Sequence, residues 1–164
     1  MAIDFKETVW MQFGAAIDTL KKAILACPEE VWFDRSLRPE FWHVASHTLF
    51  WLDFYLSDSP ESFTPPAPFG LEELDPAGAM PESPFSQEDL LDNLERSREK
   101  CRTTILHLTD TRANSRFKFG SLDVTFAELL LYNMRHVQHH AAQLNLILRR
   151  TIDSAPRWTR RAED

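Results

Sequence analysis

The stretch TFAELLLYNMRHVQHHAAQLNLILRR, residues 125–150, reads as one long amphipathic helix. Thr125 offers a hydroxyl as N-cap, Glu128 stands three residues on as its capping partner, and apolar residues then recur three and four apart. At about 100° per residue, Leu129, Tyr132, His136, His140, Gln143 and Ile147 fall on one stripe, expected to face the interior of the fold. Two imidazoles one turn apart are thereby aimed inward. His139 is displaced from His140 by a full helical step and is expected at the edge of that face.

Three more helices precede it. Residues 4–26 carry Phe5, Val9, Phe13, Ala16, Ile17, Leu20 and Ile24 at helical spacing, with Asp4 and Glu7 as a capping pair and Pro28 just past the end. A second helix opens with Pro39 in its first turn, carries Trp42, Ala45, Leu49, Leu52 and Leu56, and stops before Pro60. Within it His43 and His47 stand four apart, a row that Phe50 and Phe54 extend. The third begins at Ser86, whose hydroxyl can cap the turn ahead of Asp89, and runs through Leu90, Leu94, Cys101, Ile105 and Leu108. Four long amphipathic helices predict an all-α protein, a four-helix bundle.

Seven of the ten prolines lie between residues 60 and 84, so the helix breakers are confined to one long crossover between the second and third helices. Neither half of the chain alone has enough apolar surface to be stable, which favours one domain over residues 1–164. Residues 115–124, where Phe117 and Phe119 alternate with charged residues ahead of Gly120-Ser121, read as a short hairpin or an extended loop. The tail after Arg150 is expected to fray or to pack against a neighbour.

A net charge of −7 argues against general nucleic-acid affinity, which needs a clustered basic surface. No apolar run reaches the roughly 18 residues of a membrane span, and the N-terminus lacks the basic region of a signal peptide, so the chain reads as cytoplasmic. Cys27 and Cys101 are too few for a disulfide scaffold and are expected to be reduced and buried. No phosphate-cradling glycine loop, Ser/His/Asp elbow or CxxC pair is present.

Six histidines in so small a chain are where chemistry is expected. A pair one turn apart can chelate one ion through neutral nitrogens, and a donor from a facing helix would complete an open site. A hydrogen-bonded core pair has the same spacing. The segment WHVASHTLFWLD, residues 42–53, followed by His136-x-x-x-His140-x-x-Gln143, resembles the DinB-like (DinB/YfiT) superfamily, and the likeness extends over nearly the whole chain. Many members carry Gly where Ala142 stands here. The resemblance implies an up-down-down-up bundle, a frequent homodimer, and a divalent metal held at one mouth of the bundle by His47, His136 and His140. One transition metal, zinc or nickel with iron as a third option, is the cofactor so implied.

Characterised relatives include metal-dependent thiol transferases. The resemblance therefore points to a metal-dependent hydrolase or thiol (S-)transferase acting on a small molecule, with a low-molecular-weight thiol as co-substrate. The alternative is a non-catalytic, metal-stabilised or small-molecule-binding stress-response module. His43 reads either as a residue orienting a ligand or as a partly exposed structural histidine, and Gln143 as a hydrogen-bond partner of the site or a buried packing amide. Asp53 and Glu128 are candidate proton-transfer carboxylates, or else a helix-surface charge and a capping partner. His107, near the end of the third helix, is assigned no function, and the acidic residues within 72–95 read as a solvated face.

Overall fold

The Asp4 carboxylate accepts hydrogen bonds from the backbone N–H groups of Lys6 and Glu7 and so starts the first helix, α1 (Phe5–Ala26). This is a computed structural model describing residues 4–163. Pro28 does more than stop α1: it is the N-cap of a one-turn helix, α2 (Glu29–Trp32), that the periodicity did not reveal. Helix α3 (Phe41–Phe54) is shorter than its prolines suggest. Pro39 lies outside it, because Glu40 is the N-cap and Val44 N–H to Glu40 O opens the helical ladder. Its end comes well before Pro60, where the Ser57 hydroxyl donates to Phe54 O at 2.6 Å and Arg112 holds Ser57 O at 2.9 Å.

The crossover follows, with 3-10 turns at Pro60–Ser62 and Glu72–Leu74. Helix α4 (Gln87–Leu106) is capped by Ser86, whose hydroxyl accepts from Asp89 N–H, as expected. A short α5 (Asp110–Asn114) leads into an antiparallel hairpin, β1 (Arg116–Phe119) and β2 (Leu122–Thr125), with Phe117 opposite Val124. Gly120 turns that hairpin at φ +55°, a left-handed conformation glycine adopts without strain. Thr125 then caps the last helix, α6 (Phe126–Ile152), through Glu128 N–H.

The protein is thus mostly helical, and its four long helices pack in a ring in which α1 and α3 each touch both α4 and α6. One apolar core joins them, including Phe13, Ile17, Leu20, Trp42, Leu49, Leu94, Leu129 and Leu144. Burying each of the larger side chains contributes about 1.5–3 kcal/mol. Among the described residues, no helix is long and apolar enough to cross a membrane.

Two expectations are corrected here. The buried face of α6 consists of Phe126, Leu129, Leu130, Asn133, Val137, Ala141, Leu144 and Leu148. The stripe through Tyr132, His136, His140, Gln143 and Ile147 is rotated from it by one residue and forms a flank that is half-buried except at Tyr132, which is exposed. Packing favours this phase because the Leu, Val and Ala positions bury without stranding polar groups, whereas four of the five flank residues carry a polar atom. Asn133 is fully buried within the core face, and its side-chain amide donates to Leu52 O of α3 at 3.0 Å.

The tail, expected to fray or to pack on a neighbour, instead lies along α1 of its own chain. Ala162 N–H donates to Met11 O at 2.9 Å, and Glu163 N–H donates to the Asp18 carboxylate at 2.7 Å. That carboxylate is buried and also receives the Arg98 guanidinium from α4, at 2.8 and 3.3 Å. The tail is therefore fastened by its backbone groups, one of them on the buried Asp18–Arg98 pair, and by the Lys22–Glu163 ion pair, while Trp158 remains two-thirds exposed.

Candidate metal centre

Helices α3 and α6 face one another along the flank just described, and each contributes histidines to the contact. The structure brings His47, His136 and His140 together: one nitrogen from each lies within 4.8 Å of the others. Nε2 of His47 and Nε2 of His136 face each other at 3.4 Å. All three rings are half-buried, so the donors are shielded without being sealed from solvent.

Hydrogen bonds at the outer ring nitrogens orient two of the three. His140 Nδ1–H donates to Gln143 Oε1 at 2.7 Å, leaving Nε2 as the free donor atom. Gln143 thus acts toward the site, within hydrogen-bond reach of a predicted ligand one turn away. His47 Nδ1–H donates to Glu73 Oε2, also at 2.7 Å, which again turns Nε2 inward. His136 is the one ring of the three without an outer acceptor, its buried Nδ1 having no hydrogen-bond partner. Three imidazoles whose nitrogens converge in this way, two of them with the outer Nδ1–H already committed, fit a divalent transition metal.

Electrostatics favour the ligand form of two of the rings. Burial, joined by repulsion from His140 and His47, holds the His136 pKa down to about 3. His140 is also lowered, chiefly by burial. Glu73 goes the other way: burial favours its neutral form, but hydrogen bonds from His43 and His47 outweigh that and bring its pKa to about 2. A carboxylate therefore stands beside the histidines across the whole ordinary pH range.

Glu73 is the residue sequence reasoning missed, having placed it on a solvated acidic face. It belongs to the crossover, yet its side chain is only 20% exposed and spans two imidazoles, with Oε1 at 3.5 Å from His43 Nε2. His43 is thus neither a free surface histidine nor close enough to join the trio's donor atoms. No local pattern separates Glu73 from Glu72 or Asp75; the signal was the pair of helix-two imidazoles, which needed an acceptor for their outer N–H groups.

The remaining candidates lie outside the donor set. The Asp53 carboxylate is paired with Lys100, and Glu128 is exposed at the start of α6. His139 is exposed, with its ring against His140, and His107 caps α4 with Nδ1–H donating to Thr103 O. Cys27 and Cys101 are free and buried, and burial is the main reason the Cys27 thiol is pushed up to about 12. Of the aromatic residues, Trp51 lies against His47 and Tyr55 against His136. On the outer side, a groove of about 710 Å³ is lined by Tyr132, Arg135, His136, His139 and Trp158, among others.

Residues 7–144 match the family model described as DinB superfamily. No curated protein and no solved structure matches the chain.

Proposed function

Because the chain belongs to the DinB superfamily, we propose that it is a divalent-metal-binding protein in which His47, His136 and His140 hold one transition metal, zinc or nickel ahead of iron. The reading extends to a metal-dependent hydrolase or thiol (S-)transferase acting on a small molecule, in a homodimer of up-down-down-up bundles. The observation that carries the metal assignment is the convergence of three imidazole donors within 4.8 Å, two of them oriented by Glu73 and Gln143.

When bound by three protein donors, such a metal keeps an open position and supplies Lewis-acid chemistry there. The chain's own part is to bind and to shape. His47, His136 and His140 face one another, with burial favouring the neutral form of His136 and His140, Trp51 and Tyr55 limit water on one side, and the groove bordered by Tyr132, Arg135 and Trp158 offers a seat for a substrate. Neither cysteine can serve as a nucleophile, since both thiols are buried and held protonated. In a transfer reaction the thiol must therefore arrive as a co-substrate.

One observation favours the non-catalytic alternative. Asp53 is committed to Lys100 and Glu73 to two imidazoles, so neither carboxylate is free to move a proton at the open face. Elemental analysis of freshly purified protein tests the metal reading: about one metal per chain is expected, lost in His136→Ala, and a wild type without stoichiometric metal would overturn it. Turnover of thiol and electrophile panels by the loaded protein, compared with free metal, then separates enzyme from scaffold.

A further inference from the structure

Residues 64–84 form most of the crossover, and their hydrogen bonds are almost all internal. Phe69 N–H to Pro66 O, Leu74 N–H to Leu71 O, Asp75 N–H to Glu72 O and Gly78 N–H to Asp75 O each close a local turn. Among the described residues, the polar contacts that leave this segment are those of one side chain, Glu73, to His47 and His43. Its apolar anchors sit at the margins: Phe63 packs on Phe50 and Phe54 before it, and Phe85 packs on Trp42 after it. Within it, Phe69 and Leu74 are only partly buried, and none of the residues from Thr64 to Pro84 is fully buried. A segment with so little burial opens locally at low cost unless something ties it down.

The tie is made to a proposed metal ligand. Glu73 Oε2 takes the Nδ1–H of His47, the ring whose Nε2 turns toward His136 and His140, while Oε1 faces His43 one turn earlier on α3. A carboxylate accepting from the outer nitrogen of a ligating imidazole fixes its orientation and raises its basicity, and losing such a partner typically weakens metal binding about 10–100-fold. Any contact that strengthens metal binding is strengthened by it to the same degree, because coupling between two equilibria is reciprocal.

We propose that Glu73 is a positioning residue that makes docking of the crossover and occupancy of the histidine site one coupled equilibrium, so that the segment 64–84 closes beside the site when metal is bound and loosens when it is not. This rests on the metal reading given above. His43 serves as the second anchor, holding the carboxylate so that its other oxygen remains on His47. The residue that orients His47 thus comes from the loop rather than from the helices that carry the ligands.

The test uses full-length protein with Zn2+ as the probe, and two readouts independent of turnover. Zinc affinity is measured by competition with a chelator, and backbone amide exchange is followed over residues 64–84 with and without zinc. Expected results are an affinity loss of about 10–100-fold in Glu73→Ala, a smaller loss in Glu73→Gln, which keeps an acceptor oxygen, and zinc-dependent slowing of exchange in the wild type that Glu73→Ala abolishes. His43→Ala, further from the donor atoms, should reduce that slowing without removing zinc. Unchanged zinc affinity in Glu73→Ala, or equal exchange in the crossover with and without zinc, overturns the proposal. A wild type that binds no zinc overturns the metal reading instead, so the two failures are distinguishable.

Discussion

A methyl group built on Gly14 would lie 2.5 Å from the Cβ of Ala162. The tail therefore crosses α1 where only a hydrogen atom leaves room, and a glycine in mid-helix, which costs about 0.5–1 kcal/mol relative to alanine, is the condition for that crossing. Gly14→Ala should displace the tail: a net destabilisation of about 1–2 kcal/mol is expected, overpacking exceeding the gain in helix propensity. In a chain ending at Asp153 the same substitution should cost less, the Trp10 ring at 3.1 Å being the close contact that remains. Thermal melts of the two single changes and their combination give the coupling directly, and simple additivity would contradict the contact.

Arg98 neutralises a carboxylate that lies almost wholly inside the protein, and its guanidinium also stacks over Trp10 at 5.2 Å. Arg98→Met keeps much of the apolar contact but strands Asp18 without its cation, for an expected loss of about 3–5 kcal/mol. Denaturant unfolding checks it. The double change to Arg98→Met with Asp18→Leu should recover most of the loss, since neither charge then remains buried.

The stability of metal-free protein should fall on mild acidification. His136, with an ordinary value of 6.5, is held to about 3 in the folded state, first by burial. The unfolded chain thus binds a proton that the native chain refuses, so this histidine's stabilising contribution is complete above 6.5 and is lost as pH drops toward 3. His140 shifts the same way. Melting temperatures between pH 8 and pH 5 should stay level and then decline, with a shallower decline in His136→Phe. A rise in melting temperature on acidification would be incompatible with these burials.

Gln143→Ala removes the acceptor that fixes His140 without creating a large cavity. Zinc affinity is expected to fall about 10-fold, while the melting temperature of the metal-free protein changes little. Isothermal titration and thermal melts on the same preparation separate the two effects; a large loss of metal-free stability would mark Gln143 as a packing amide instead.

The histidine pairs, the caps at Asp4, Ser86 and Thr125, and the proline-rich crossover were all legible from spacing and end signals, because helix periodicity and capping are local properties. The phase of α6 differs by one residue from the expected stripe. That stripe groups His136, His140 and Gln143 with apolar residues, while the heptad-spaced Leu130, Val137 and Leu144 carry the buried face. Those three were available in the sequence and would have moved the histidines to the flank. Glu73 and the tail could not be read this way: a loop or tail folding back on a helix is fixed by contacts distant along the chain, 26 residues in one case and 145 in the other.

Asn133 gives the arrangement its vernier. Interdigitated apolar faces resist slipping through shape, and a directional hydrogen bond adds to that a lock against a slip of one residue, only about 1.5 Å. The amide that donates to Leu52 O is buried at this contact, and breaking it without a replacement costs about 1–3 kcal/mol. It acts as a detent that reinforces the axial setting of α3 against α6 in which His47 stands opposite His136 and His140. The spacing of the three donors thus depends in part on a side chain outside the donor set, and tuning the centre for a larger or smaller ion can begin with that amide.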